Sequence, residues 1–143
     1  MILMEGLSDL FFCLVAFFIH EVAHIWMAKN RGVFVRVTAW KVFGFLPIGA
    51  LTWIDKNKAT IEDQIDISSI GIWAGLPFTF LMFKPVVFFS AYMIACFLDI
   101  LSIAFLSICI ILGMPKNMTI AEAGRKYDLS ISWTGIRLKE KLL

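Results

Sequence analysis

Two histidines and a glutamate stand together in an apolar stretch near the N-terminus, "FFIHEVAHIWMAKNRG" (17–32). His20 and His24 are four residues apart, so on a helix both side chains project from one face, within reach of a single metal ion. Neutral imidazole is a good zinc ligand, and Glu21 lies where it can take a proton from a water that the metal activates. This HExxH pattern predicts a zinc site with Glu21 as general base and acid.

The composition of the chain makes these polar residues more significant. Of its 143 residues, 60% are hydrophobic and only 17% are charged, which is too apolar for a soluble domain of this size and predicts a membrane protein. An ionisable group inside a membrane span is costly unless it is paired or used, so it indicates function. The alternative interpretation is a chance match, or histidines that hydrogen-bond to neighbouring helices.

Long uncharged runs predict an all-α membrane protein with three transmembrane helices, at about 7–28, 67–83 and 86–112. A single domain is expected over residues 1–143, with 113–143 as a short cytoplasmic tail. Basic residues concentrate between the first two spans and after the third, and none precedes the first. The positive-inside rule therefore predicts an N-terminus outside and a cytoplasmic C-terminus. The formal net charge of +2 gives no reason to expect a nucleic-acid partner.

A catalytic zinc site needs a third protein ligand. Asp99 is the candidate, because at 1.5 Å per residue it lies about as deep in its span as the two histidines do in theirs. Cys96, three residues earlier, could share its face as a ligand, although a packing role is the simpler interpretation. Glu122 and Asp128 are further alternatives that would require the C-terminal segment to fold back. The sequence favours Asp99 and leaves the others open.

Residues 33–54 contain β-branched and aromatic residues ("VFVRV", "ALTWI") around the Gly- and Pro-containing centre "FGFLPIG". This pattern predicts a β-hairpin between the first two spans, whose free edge could bind an unwound substrate segment as an added strand. A plain cytoplasmic connecting loop is the alternative. In the next span, Gly71 and Gly75 are four residues apart, a spacing that permits close approach of helices.

Three stretches together resemble the site-2 protease family of intramembrane zinc metalloproteases: "HEVAHIWMAKNRGV", "VFGFLPIGALTWI" and "SIGIWAGLPFTFLMF". The resemblance implies one Zn²⁺ per chain held by His20, His24 and Asp99, beside a membrane-associated β-hairpin. It also implies a substrate-binding segment in that hairpin, formed by Pro47, Ile48, Gly49, Ala50 and Leu51. The chain departs from the family pattern in having Ala50 for a glycine, and Ile100 for the glycine that usually follows the aspartate.

The function implied by the resemblance is hydrolysis of a peptide bond in or near a transmembrane segment of a membrane-anchored protein or peptide. The protein would be a multi-pass integral membrane protein of a prokaryotic cell membrane, in contact with the lipid bilayer. A non-catalytic membrane protein that binds a metal or a substrate helix is the alternative. Neither the oligomeric state nor the substrate's identity follows from the sequence.

Overall fold

The computed structural model describes the backbone of residues 2–42 and 46–127, and side chains at 4–34, 36 and 54–126. In these residues the fold is predominantly helical, with two strands between the first two helices. The elements in chain order are α1 (Ile2–Asn30), β1 (Val35–Val42), β2 (Leu46–Ile54), α2 (Ile61–Thr79), α3 (Pro85–Ala95), α4 (Phe97–Ile111) and α5 (Ile120–Tyr127). Helix α2 contacts α1, α3 and α4, so it is the element that joins the others.

Helix α1 is the one described helix that is long and apolar enough on its own to cross a membrane, over Met4–Asn30. It contains the predicted first span, 7–28. The helix ends at Asn30; two residues later Gly32 adopts φ 68°, and the Val33 amide donates to the Ala28 carbonyl at 2.9 Å. A left-handed residue at this position satisfies the last carbonyls of a helix and favours glycine.

Helix α2 does not match the predicted second span, 67–83. It begins at Ile61, and its first two turns carry three carboxylates, so it is not among the described helices apolar enough to cross a membrane. A capping box fixes this early start: Thr60 Oγ1 accepts from the Asp63 amide at 3.1 Å, and Asp63 Oδ2 accepts from the Thr60 amide at 2.9 Å. The hydropathy pattern missed this polar first part of the helix.

The predicted third span, 86–112, is two helices rather than one. Helices α3 and α4 meet at Cys96 with a bend of 58°, and only as a pair are they long and apolar enough to cross. The described helices therefore offer one crossing, or two if the bent pair counts as one, and the prediction of three spans is wrong. Hydropathy measures composition and gives no information on helix direction, which is why the bend was missed. The predicted orientation stays a prediction.

Strands β1 and β2 form a two-stranded antiparallel sheet. Val35 pairs with Ile54 and Ala39 with Ala50, and the register shifts between Trp40 and Lys41. Both strands contact α1, so the sheet lies beside the helix that carries the two histidines. Residues 43–45, which join the strands, lie outside the described residues, and the membrane association of this segment stays a prediction.

The C-terminal part of the described chain packs onto the loop before α2. The Ile120 amide donates to the Ala59 carbonyl at 3.0 Å, and the Ile61 amide donates to the Met118 carbonyl at 3.0 Å. Ile120 is buried with Ala28 at the end of α1. This packing holds the ends of α1 and α2 together. The expected single domain over 1–143 and the cytoplasmic location of 113–143 stay predictions.

Candidate metal centre

The two histidines of α1 face each other in the interior. His20 and His24 are 5% and 4% exposed, and their Nε2 atoms are 2.8 Å apart. The four-residue spacing places both imidazoles on one side of the helix, as the sequence predicted. This side of α1 faces α2, since a carbonyl and a glycine of α2 contact His24.

The first turn of α4 brings Asp99 to the same point. Asp99 Oδ2 lies 3.2 Å from His20 Nε2 and 3.5 Å from His24 Nε2. The bend at Cys96 directs α4 so that this carboxylate reaches α1. Three atoms that carry lone pairs, two nitrogens and one oxygen, therefore converge from two helices.

Glu21 borders the same cluster on a more accessible side. Its Oε1 atom lies 3.9 Å from His20 Nε2, and its side chain is 21% exposed against 7% for that of His20. The potential metal-ligating atoms of His20, Glu21 and His24 lie within 4.8 Å of one another. Glu21 is thus placed to contact both the cluster and a molecule arriving from outside it.

A main-chain carbonyl holds the His24 ring from behind. The Nδ1 atom lies 2.6 Å from the Ile67 carbonyl oxygen, which can only accept a hydrogen bond. In the neutral ring, Nδ1 therefore carries the hydrogen, and Nε2 presents its lone pair to the cluster. Such a carbonyl partner is typical of metal-binding histidines, because it fixes both the tautomer and the ring orientation.

A tyrosine of α3 contacts the Nδ1 atom of His20, as the Ile67 carbonyl contacts that of His24. His20 Nδ1 lies 3.0 Å from the oxygen of the Tyr92 hydroxyl, and this hydroxyl donates its hydrogen to the Gly71 carbonyl at 3.0 Å. Tyr92 was not among the residues predicted from the sequence. The available signal was the polar end of a tyrosine in an apolar run, since a buried tyrosine hydroxyl usually has a hydrogen-bond partner.

Two glycines of α2 allow this close packing. A Cβ atom at Gly71 would contact the His24 ring, with Nδ1 only 2.9 Å away. A Cβ atom at Gly75 would contact the Tyr92 hydroxyl and lie 2.8 Å from the Ala16 carbonyl oxygen. The small-residue spacing noted in the sequence therefore serves the approach of α2 to the histidines and to Tyr92.

The alternative third ligands lie elsewhere or are less suitable. Cys96 Sγ lies 3.8 Å from His20 Nδ1, on the side of the ring away from the Nε2 cluster. Glu122 is exposed on α5, and Asp128 lies outside the described residues. Of the acidic and thiol groups considered, Asp99 is the one that contacts both Nε2 atoms.

The family model described as "Peptidase family M50" matches residues 10–136, which is most of the chain and includes all four residues of this cluster. The chain belongs to peptidase family M50, the site-2 protease family. No curated protein and no solved structure matches it. Members of family M50 are membrane-associated zinc metallopeptidases.

The donor atoms fit the zinc ion that family M50 uses. Donors at 2.0–2.1 Å around a tetrahedral zinc are separated by roughly 3.3 Å, and the three separations here are 2.8, 3.2 and 3.5 Å. With Nδ1 of His24 donating to Ile67, its Nε2 lone pair points at a second imidazole nitrogen and a carboxylate oxygen. A cation held among these acceptors would offset their mutual repulsion, and imidazole nitrogens and carboxylate oxygens are established zinc ligands.

The segment expected to bind substrate in this family M50 member, Pro47 to Leu51, lies in β2. In the backbone pairing, Gly49 faces Trp40, Ala50 faces Ala39 and Leu51 faces Thr38. In the described sheet, each strand has one edge without a neighbouring strand. Because β2 contacts α1, the segment lies on an element next to the histidine helix, and its role in binding stays a prediction.

Proposed function

We propose that this chain is an intramembrane zinc metalloprotease that hydrolyses a peptide bond in or near a transmembrane segment of a membrane-anchored substrate. The observation that supports it best is the convergence of His20 Nε2, His24 Nε2 and Asp99 Oδ2, with Glu21 beside them. Three protein donors and one open side are typical of catalytic zinc sites, whereas structural sites are closed by four protein ligands.

Each residue has a defined part in this proposal. His20, His24 and Asp99 would hold one Zn²⁺, which when bound would polarise the scissile carbonyl and make a water more acidic. Glu21 would take the proton from that water and later transfer it to the leaving amine. Its partial exposure suits this role, because a proton acceptor must contact a water that enters with the substrate.

The substrate would bind along β2. A helical transmembrane segment hides its peptide bonds in its own hydrogen bonds, so it must unwind before it can be cleaved. An unwound segment exposes amides and carbonyls that cannot be left unpaired in lipid. The main chain of Pro47 to Leu51 could pair with them as an additional strand, next to α1.

The proposed location is the membrane of a prokaryotic cell, with more than one crossing. Helix α1 would cross, and the bent pair α3–α4 is the other apolar segment of sufficient length. The end of α1 contains Lys29 and is followed by Arg31, so this end would face the cytoplasm. His24, six residues before Asn30, would then lie towards the cytoplasmic side.

Zinc content is the first test, because it needs no substrate. The chain is purified in detergent without a histidine tag, and zinc per chain is measured for the natural protein, His24→Ala and Asp99→Ala. We expect about one zinc in the natural protein and a loss in both variants, since each removes one of three protein ligands. Zinc retained by Asp99→Ala would exclude Asp99 as a ligand. No zinc in any sample after reconstitution would favour a non-catalytic membrane protein.

Catalysis is tested with Glu21→Gln. This variant keeps the ligands and removes the proton acceptor, so it should bind zinc like the natural protein and cleave nothing. Both zinc-loaded proteins are incubated in detergent with a panel of synthetic single-span peptides, and cleavage is read by mass spectrometry. Cleavage that persists at the natural rate in Glu21→Gln would rule out the assigned role. Zinc binding without cleavage of any peptide by the natural protein would favour the alternative, a protein that binds metal or substrate helices without cutting.

A further inference from the structure

The hydroxyl of Tyr92 connects three helices behind the metal centre. It contacts His20 Nδ1 of α1 at 3.0 Å, and it lies 3.0 Å from the Gly71 carbonyl and 3.2 Å from the Ile72 carbonyl of α2. Tyr92 itself belongs to α3 and is 3% exposed. A carbonyl can only accept, so the hydroxyl donates towards α2. Its oxygen is then left to accept a hydrogen bond from His20 Nδ1.

Among the described residues, Gly75 and Cys96 are close neighbours of this contact. Gly75 lies so close to the hydroxyl that any side chain there would collide with it. Cys96 Sγ, 3.8 Å from His20 Nδ1, is the other polar atom in contact with this nitrogen, and a thiol is a weak hydrogen-bonding group. The absence of a side chain at Gly75 therefore leaves room for the end of the Tyr92 ring together with its hydroxyl.

Two residues on either side of the bend between α3 and α4 contact different nitrogens of His20. Tyr92, before the bend, contacts Nδ1, and Asp99, after the bend, lies 3.2 Å from Nε2. Residues seven apart on a straight helix are separated by about 10.5 Å along its axis. The two residues that contact His20 therefore lie on opposite sides of the 58° change in direction at Cys96.

We propose that Tyr92 is a positioning residue for the metal centre, which fixes the His20 ring so that Nε2 is the ligand atom. This inference rests on the proposed zinc site. Hydrogen bonds to the nitrogen that does not bind metal hold the tautomer and the ring orientation, and their loss typically lowers metal affinity by roughly 10- to 100-fold. His24 has a main-chain carbonyl for this purpose, whereas His20 depends on a side chain that mutation can remove.

The test compares Tyr92→Phe with the natural protein and with Ser102→Ala. Ser102 is 1% exposed in α4, and its Oγ has no hydrogen-bond partner in the described residues, so its removal controls for loss of a buried hydroxyl. Zinc dissociation constants are measured by competition with a chromophoric chelator. The visible absorption spectra of the Co²⁺-loaded proteins are then compared. We expect zinc affinity to fall roughly 10- to 100-fold in Tyr92→Phe with a changed Co²⁺ spectrum, and neither change in Ser102→Ala.

The outcomes separate this inference from the proposed function. A natural protein that binds no zinc would refute the proposed site itself. Zinc binding by the natural protein, with the same affinity and Co²⁺ spectrum in Tyr92→Phe, would refute the role of Tyr92 alone. If Tyr92→Phe fails to fold, ¹⁵N-histidine NMR of the zinc-loaded natural protein shows which nitrogen of His20 carries the hydrogen. The spectrum is simple to assign because the chain has two histidines. A hydrogen on Nδ1 of His20 is expected, and a hydrogen on its Nε2 would overturn the inference.

Discussion

The packing of Gly71 on His24 makes Gly71→Ala the sharpest probe of the site. The added Cβ would lie 2.9 Å from His24 Nδ1 and still closer to two other ring atoms, where ordinary carbon contacts are about 3.5–4.0 Å. The ring cannot simply turn aside, because Nδ1 is hydrogen-bonded to the Ile67 carbonyl at 2.6 Å. Either the imidazole moves away from the cluster, or α2 moves away from α1.

The size of the effect follows from three contributions. Overpacking by one methyl group costs about 1–3 kcal/mol, and loss of the bond from His24 to Ile67 costs about 0.5–1.5 kcal/mol. The better helix propensity of alanine offsets up to about 1 kcal/mol of this. With mid-range values of about 2 and about 1 kcal/mol for the two costs and an offset of about 1 kcal/mol, we expect a net destabilisation of about 2 kcal/mol. If zinc binding must restore the natural ring position, the zinc dissociation constant should rise by about 30-fold.

The assay pairs zinc competition titrations with thermal unfolding in detergent, and Gly6→Ala serves as the matched control. Gly6 is also in a helix, but a Cβ there meets no heavy atom within 4 Å. A double-mutant cycle adds a second check: the unfolding penalty of Gly71→Ala should shrink in a His24→Ala background, where the colliding ring is absent. Gly71→Ala with the zinc affinity and unfolding temperature of Gly6→Ala would refute the reasoning.

Two further predictions concern the polar end of the helix pair. The Arg31 guanidinium contacts Asp66, and its Nη1 atom lies 3.7 Å from Asp63 Oδ1. Since the Arg31 side chain is 40% exposed, Arg31→Gln should lower the free energy of unfolding by at most about 1 kcal/mol. The unfolding temperature of the variant should be lower than that of the natural protein at low salt and equal to it at high salt. Burial lowers the pKa of Lys56 to about 8, so the unfolded state binds more protons between about pH 8 and 10.5 and the free energy of unfolding should rise with pH across that range. Lys56→Met should remove this rise, whereas the same change at the exposed Lys58 should leave it; equal pH profiles for all three proteins would contradict the assignment.

The sequence predicted the part of the site that depends on short-range geometry. A spacing of four residues places His20 and His24 on one face of any helix, so their meeting follows from the sequence alone. Asp99 was selected by depth in a span assumed to be straight. The structure brings it to the histidines by a different route, a bent pair of helices in which Asp99 lies in the first turn after the break.

The residues that the sequence analysis missed act through long-range contacts. Tyr92 and the Ile67 carbonyl are 72 and 43 residues from the histidines that they contact, and no spacing rule relates them. Hydropathy also gave too late a start for α2, because it cannot detect that Thr60 and Asp63 cap a helix whose first turns are polar. Capping was readable in the sequence, whereas the direction of α3 relative to α4 was not.

The proposed ligands and the groups that orient them belong to different elements, and this has a consequence for how the site forms. A carbonyl of α2 holds His24, a hydroxyl of α3 holds His20, and Asp99 comes from α4. The three donor atoms come from α1 and α4, and the groups that orient the histidines come from α2 and α3, so the fully oriented site exists only when four helices are packed together. Metal binding and helix packing should therefore stabilise each other, because an ion that binds only the packed state shifts the equilibrium towards it. The glycines of α2 are then part of the metal site in the energetic sense, although they carry no ligand atom.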